Sequence, residues 1–129
     1  MLGSAEFPDV AVIADLEAGI GTLTRLADQR LDAVLVVVEP TPKSIEVGTR
    51  AAALANDKNL GRLIVVTSRV RDNHDLDRVR AGFPGAEVVS VPDDPAIMAA
   101  EREGVAPLDV AADAPAVRAL IGLAESLLP

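Results

Sequence analysis

Cysteine, tryptophan and tyrosine are absent from this sequence, which contains one histidine and two phenylalanines among its 129 residues. The lack of cysteine excludes disulfides and thiolate metal sites. A single histidine, His74, excludes a metal site built from several histidines of one chain. With no tryptophan or tyrosine there is little to stack on nucleic-acid bases. The core has to consist of Val, Leu, Ile and Ala, which suit the strands and helices of an α/β protein.

Positive charge is also scarce, since the sequence has 12 Lys and Arg residues but 20 Asp and Glu residues, which gives a net charge of −8. Binding to a phosphate backbone requires a basic patch, so we expect no nucleic-acid partner. No apolar run approaches the roughly 18 residues of a membrane-spanning helix, and residues 1–7 lack the basic and apolar parts of a signal peptide. These absences predict a cytoplasmic protein without a membrane partner.

The length suits one domain, expected over residues 8–129. Gly3-Ser4 and Glu6-Phe7 are dipeptides that common cloning sites encode, so residues 1–7 are expected to be a vector-derived tail or disordered.

Four short apolar runs rich in Val or Ile predict four β-strands, namely Val10–Ala14, Ala33–Val38, Leu63–Thr67 and Glu87–Val91. The runs are nearly continuous, which is typical of strands buried on both faces. Segments with helical spacing separate them, and two more helices follow the last run. The alternation predicts an α/β fold with a mostly parallel four-stranded sheet flanked by helices, in a three-layer Rossmann-like arrangement.

The end of the first predicted strand carries the most informative residues, Asp15 and Glu17, with Gly19 close behind. Ligands of open α/β sheets bind beyond the carboxyl ends of the strands, and a glycine there lets the backbone approach a ligand closely. This position favours a magnesium-facing carboxylate beside a phosphate-sensing loop. The alternative is an ordinary helix N-terminus with acids that favour the helix dipole. The following Gly19–Thr24 resembles a phosphate-binding loop but lacks the lysine that such a loop requires.

Polar residues also follow the other predicted strands, at Glu39–Ser44, Ser68-Arg69 and Pro92–Asp94. Because parallel strands end at one edge, we expect these segments to lie near one another. Ser68, Arg69, Pro92 and Asp93 are candidates for the wall of a pocket that holds a base. The alternative is that these segments supply turn and helix-capping residues, as Thr41, Ser44 and Asp94 are well suited to do.

Three strings, Ala14–Gly19, Asp32–Pro40 and Val91–Ile97, occur in an order that resembles the deviant-Walker P-loop ATPases, a superfamily that includes septum-site and chromosome-partitioning (MinD/ParA-like) ATPases. The strings are most similar to those of the branch that matures nickel in carbon monoxide dehydrogenase. The resemblance extends over about residues 9–128.

The resemblance implies roles for particular residues. Asp15 would bind Mg²⁺, with Glu17 beside it, and Gly19 would be the switch glycine. Pro92 and Asp93 would lie beside the adenine of ATP. Ser68-Arg69 stands where the family usually has Asn-Lys to read the base. The family's phosphate-binding loop and its lysine have no counterpart, and phosphoryl transfer depends on such groups, so the chain is not expected to hydrolyse ATP alone.

The first hypothesis is therefore a truncated P-loop ATPase domain, partnered by a complementing N-terminal half or by further copies of itself. The second is a non-catalytic, self-associating interaction module that has kept an NTPase-like fold. A third, a phosphoacceptor receiver domain, is disfavoured because a receiver needs an acidic pair upstream of its acceptor and a lysine ahead of the late proline, where Val91 stands. Loss of a strand from the sheet would expose an apolar edge, so both leading hypotheses predict self-association.

Overall fold

The computed structural model describes residues 11–16 and 31–128, and every structural statement below concerns those residues. They form three strands and five helices, in the order β1 (Ala33–Val38), α1 (Pro42–Asp57), β2 (Arg62–Val70), α2 (Asn73–Gly82), β3 (Glu87–Pro92), α3 (Pro95–Glu103), α4 (Pro107–Val110) and α5 (Pro115–Leu127). No helix in these ranges is both long and apolar enough to cross a bilayer.

The strands form one parallel sheet in the order β1-β2-β3. The predicted parallel α/β architecture is confirmed, and Val34 and Leu63 mark the β1–β2 register. The predicted fourth strand is wrong for the part that can be checked, because residues 11–14 form no strand and Ile13 is 93% exposed. An apolar run becomes a strand only where a neighbour satisfies its backbone groups, and no described strand pairs with it. Val10 lies outside the described residues.

Helices cover both faces of the sheet. On one face α1 and α2 enclose the larger core, whose buried residues include Val36, Val65, Val79 and Phe83. On the other face α5 packs against β3, and a smaller core forms around Ile64, Val66, Val91, Ala116 and Leu123. The result is a three-layer arrangement with helices on either side of a parallel sheet.

Burial on both faces was expected for β1, and this expectation is wrong for one of its faces. Leu35 and Val37 are exposed, whereas Ile64 and Val66, directly opposite them on β2, are buried. Opposite residues of paired strands lie on the same face of the sheet. On this face α5 therefore covers β2 but not β1. Leu16 and Leu31 pack against the core on the α1 side and leave this face open.

The helices begin at residues whose side chains satisfy the first backbone N–H groups. The side chains of Thr41, Asp72 and Asp94 accept hydrogen bonds from the N–H groups of Ser44, Asp75 and Ala96 at the starts of α1, α2 and α3. These capping roles confirm the alternative interpretation of Thr41 and Asp94. Capping turns each loop sharply into its helix and holds the loop at the end of the preceding strand.

Candidate functional site

The carboxyl ends of the three strands meet at one edge of the sheet, which is where ligands of such folds bind. Glu39 follows β1, Ser68 and Arg69 lie near the carboxyl end of β2, and Pro92 ends β3 and is followed by Asp93. Four of the candidate residues, Ser68, Arg69, Pro92 and Asp93, are therefore brought to this edge.

A β-bulge shapes the end of β2. Thr67 pairs with Ser90 and Val70 pairs with Pro92, so two residues of β2, Ser68 and Arg69, oppose a single residue of β3. Arg69 has a φ of 57°, in the left-handed region that is unfavourable for a residue with a side chain. Bulges and such strained residues are typical of functional sites because they re-aim a side chain. Here the bulge leaves the Arg69 side chain exposed at the edge.

Arg69 connects the ends of two strands. Its Nη1 lies 3.5 Å from Oε1 of Glu39 in an exposed ion pair. The Glu39 backbone N–H in turn donates to Oγ of Ser44 at 2.9 Å, which fixes the Glu39 loop to the first turn of α1. Exposed pairs of this length contribute little to stability, so the Arg69 guanidinium can turn towards a ligand at small cost.

Asp93 and Asp94 are adjacent but have different surroundings. The Asp93 backbone N–H donates to the Val70 carbonyl oxygen at 2.9 Å, which extends the β2–β3 pairing beyond the last strand residue, and its side chain is exposed. The Asp94 carboxylate instead accepts from Ala96 N–H and Ala116 N–H, each at 3.0 Å. Asp93 is therefore the carboxylate available to a ligand, and Asp94 is structural.

Thr67, at the foot of the bulge, is fully buried, and its Oγ1 has no hydrogen-bond partner among the described residues. Buried hydroxyl groups without a partner are uncommon in folded proteins. The Thr67 hydroxyl is therefore a polar group beneath the carboxyl edge to which none of the described side chains forms a hydrogen bond.

Sequence reasoning missed the pair formed by Arg71 and Asp75 next to this edge. Oδ2 of Asp75 accepts from the Arg71 backbone N–H at 3.1 Å and from its Nε at 2.9 Å, and Oδ1 accepts from Nη2 at 3.1 Å. These hydrogen bonds to Arg71 lower the pKa of Asp75 to about 2. The pair neutralises Arg71 and fixes the β2–α2 turn. The sequence signal that could have revealed this pair is an arginine after a predicted strand, followed four residues later by an aspartate.

The remaining predicted site residues belong to the first acidic segment. Asp15 is described and exposed, and Glu17 and Gly19 lie outside the described residues. Within the described ranges no three His, Cys, Asp or Glu side chains are close enough together to hold a metal ion. A single carboxylate is still compatible with Mg²⁺, which is usually held by one or two carboxylates together with water and substrate phosphates.

The architecture defines an α/β protein with a parallel sheet flanked by helices and a candidate ligand site at its carboxyl edge. Comparison with solved structures finds the same fold in the MinD cell division protein of Aquifex aeolicus, with a TM-score of 0.64 and 21% sequence identity. The alignment covers 88% of this chain and 51% of the MinD chain.

Among curated proteins, an uncharacterized ATP-binding protein of Methanocaldococcus jannaschii is 41% identical over 64 residues, which is 50% of this chain and 25% of that protein. The chain thus spans about a quarter of that relative and about half of the MinD chain. No family model matches the sequence.

Proposed function

We propose that this chain supplies the base-binding side of an ATP site of the MinD/ParA type. The β2 bulge carries the proposal, because it brings Ser68 and Arg69 beside Pro92 and Asp93 at the carboxyl edge. The fold shared with MinD and the similarity to an ATP-binding protein support it. Within this class, the sequence strings favour the branch that matures nickel in carbon monoxide dehydrogenase.

Each residue at the edge has a role in the proposal. The Arg69 guanidinium packs on the face of the base, as arginine does on aromatic rings. The Asp93 carboxylate accepts a hydrogen bond from the exocyclic amino group of adenine, and the Ser68 hydroxyl contributes a further polar contact. Asp15 would hold Mg²⁺, which would neutralise phosphate charge, and Glu17 and Gly19, which lie outside the described residues, would contribute to the phosphate side of the site.

Hydrolysis requires a phosphate-binding loop with a lysine that reaches the β- and γ-phosphates. The sequence contains two lysines, Lys43 and Lys58, and neither follows a glycine. We therefore propose that the chain is part of a larger ATPase and does not hydrolyse ATP alone. A complementing N-terminal half would supply the loop.

Calorimetric titration with MgATP tests the proposal. We expect measurable binding that is lost in Asp15→Ala and weakened about tenfold in Arg69→Ala, the loss expected for one cation–π contact with the base. Arg62→Ala is the matched control. Arg62 is also a β2 arginine in an exposed ion pair with a glutamate, Glu87, but it lies at the opposite end of the strand. Equal weakening by Arg62→Ala, or neither heat nor a thermal shift at millimolar ATP, would overturn the proposal.

The second candidate function is the non-catalytic, self-associating interaction module. The exposed apolar face of β1, with Val37 67% exposed, favours it, because large apolar side chains on a strand normally lie under cover. Absence of ATP binding together with concentration-dependent association would support this alternative.

A further inference from the structure

The face of β1 that α5 leaves uncovered is wide enough for a further helix. Leu35 and Val37 are exposed on the same face of the sheet as Ile64 and Val66 of β2, which α5 covers. Packed helices lie about 10 Å apart, whereas neighbouring strands lie about 4.8 Å apart, so one helix covers about two strands. With α5 over β2 and β3, the position of the next helix on this face is over β1.

The course of α5 is fixed at both of its ends. In its first turn the Ala116 N–H donates to Asp94, just after the carboxyl end of β3, and in its last turn the Ser126 carbonyl oxygen accepts from Nη1 of Arg62, at the amino end of β2. The helix therefore runs antiparallel to the strands and ends nearer to β1 than it begins. Ala116 and Leu123 belong to the core beneath it and mark the side that faces the sheet.

A second side of α5 is apolar and exposed. Each residue of an α-helix is rotated by about 100° from the one before, which places Leu120, Ile121 and Leu128 together, about a quarter turn from the side that faces the sheet. Leu120 is 45% exposed and Leu128 is 56% exposed. Because α1 lies on the other face and parallel crossovers are right-handed, this quarter of the antiparallel α5 faces β1.

These two apolar surfaces meet at an angle. We call them the β1–α5 groove, with Leu35 and Val37 as its floor and Leu120, Ile121 and Leu128 as its wall. A helix laid over β1 would contact the floor on one side and the wall on an adjacent side. Contiguous exposed apolar surface of this kind is typical of an interaction site.

The strand edge beside the groove limits what can fill it. Among the described strands β1 pairs with β2 alone, so its outer edge can accept a further strand. A parallel strand there and a helix over β1 together form one strand–helix unit, from which sheets of this kind are built. A second copy can offer its β1 edge, but its α1, α2 and α5 are already packed on its own sheet and are not available for the groove.

The neighbouring part of this chain approaches the sheet from the other face. Leu16 and Leu31, the described residues on either side of residues 17–30, both pack against the core on the α1 side. The alignment with MinD, which shares the fold, covers only 51% of the MinD chain. These observations favour an occupant from outside this chain.

We propose that the β1–α5 groove and the β1 edge dock a strand–helix unit of the complementing N-terminal half. Its strand would pair parallel with β1, and its helix would lie over Leu35 and Val37 with a second apolar side against Leu120 and Leu128. The identity of this partner rests on the proposed function, because a larger ATPase supplies such a half, whereas the groove is independent of ATP binding.

Cysteine labelling tests the proposal, because the chain has no cysteine of its own. Val37→Cys and Leu128→Cys place a thiol on the floor and on the wall, and Val47→Cys places one at an exposed position of α1, which covers the other face. The probe is the part of the Methanocaldococcus jannaschii relative that precedes its 64 matched residues, co-expressed with the full chain. We expect alkylation at least about tenfold slower in the complex for the two groove thiols and unchanged for Val47→Cys, since a covered thiol reacts only when the complex opens.

Charges in the wall test the contact itself. Leu120→Glu/Leu128→Glu should weaken docking at least about tenfold, because docking would bury two unpaired carboxylates. Both leucines are exposed, so the variant should fold, and an unchanged thermal midpoint confirms this. Val47→Glu/Met98→Glu, which charges two exposed apolar positions outside the groove, is the matched control and should dock normally.

Several outcomes would overturn the proposal. They are the absence of a complex, equal protection of Val47→Cys, and equal weakening by the two double glutamate variants. Slow alkylation of both groove thiols in the dilute chain alone would assign the groove to residues of this chain outside the described ranges. Protection of both on concentrating the chain alone would assign it to a second copy.

Failure of docking and failure of the proposed function give different results. Calorimetric binding of MgATP by the chain without protection of the groove thiols would overturn the docking alone. Protection of these thiols in a chain that binds no MgATP would overturn the proposed function and leave the docking in place.

Discussion

At the scale of single residues, Asp75 carries a negative charge on a side chain that is only 2% exposed. The ion pair with Arg71 compensates this buried charge. Hydrogen bonds from Arg71 lower its pKa to about 2, whereas an aspartate in an unfolded chain titrates near 4. A lowered pKa stabilises the folded protein above the unfolded value, and this contribution is lost as the pH falls from about 4 towards 2. Urea unfolding as a function of pH should therefore show wild type losing its advantage over Asp75→Asn across that window.

Asp77→Asn is the control for this measurement, because it removes an exposed carboxylate from the same helix. As the pH is lowered, the free energy of unfolding of this variant should decrease in parallel with that of wild type. If Asp75→Asn and wild type also ran in parallel from pH 5 to pH 2, the Arg71–Asp75 pair would have no role in stability.

Two helical glycines should respond in opposite directions to replacement by alanine. A Cβ on Gly48 of α1 would collide with Cγ1 of Val38 and lie 3.0 Å from Cζ of Phe83, because the helix backbone there packs closely on β1. A Cβ on Gly122 of α5 would meet nothing within 4 Å. We expect Gly48→Ala to destabilise the protein by about 1–2 kcal/mol, as overpacking outweighs the gain in helix propensity.

Gly122→Ala should instead stabilise the protein by about 0.5–1 kcal/mol, since only the helix-propensity gain applies. Denaturant unfolding of the two variants measures both effects. A stabilised Gly48→Ala protein would mean that α1 does not pack against Val38 as closely as described.

At the scale of elements, Asp94 holds two helices with one carboxylate. Its Oδ1 accepts from Ala96 N–H in α3 and its Oδ2 from Ala116 N–H in α5. Loss of one N-terminal cap typically costs about 1 kcal/mol, so Asp94→Ala should destabilise by about 2 kcal/mol. Thr41→Ala, which removes the side-chain cap of α1 alone, should cost about half as much. Amide exchange near Pro115 should rise only in Asp94→Ala, and equal losses in the two variants would contradict the double cap.

The elements also show how far sequence patterns can determine the fold. The run Ala33–Val38 coincides with β1, and the runs from Leu63 and Glu87 lie within β2 and β3, because continuous apolar segments bounded by polar turns are a local signal. The run Val10–Ala14 has the same pattern, and its described part forms no strand. A strand depends on a neighbour, which the pattern of one segment cannot specify.

The candidate site was predictable to a similar degree. Ser68, Arg69, Pro92 and Asp93 could be placed at the carboxyl edge because parallel strands end there. The left-handed backbone at Arg69 could not be predicted, since that conformation usually requires glycine or asparagine. Its ion pair with Glu39 depends on the bulge, a feature of the β2–β3 register rather than of either segment alone.

At the scale of the whole molecule, the sheet is covered unevenly. Among the described strands, β1 pairs with β2 alone, and its sequence from Ala33 to Val38 contains no charge, proline or glycine. Natural proteins usually protect such an edge with one of these residues. Val37, 67% exposed, and Leu35 add an apolar face beside the edge. These features predict that the chain self-associates through β1.

Sedimentation velocity over a range of micromolar concentrations should therefore detect species larger than one chain. Val37→Lys should weaken the association at least about tenfold, since each contact loses a buried valine and gains a charge. Val47→Lys, which introduces the same charge at an exposed valine of α1, should leave it unchanged because α1 covers the other face of the sheet. A wild-type chain that stays monomeric throughout this range would show that the β1 face is not an association surface.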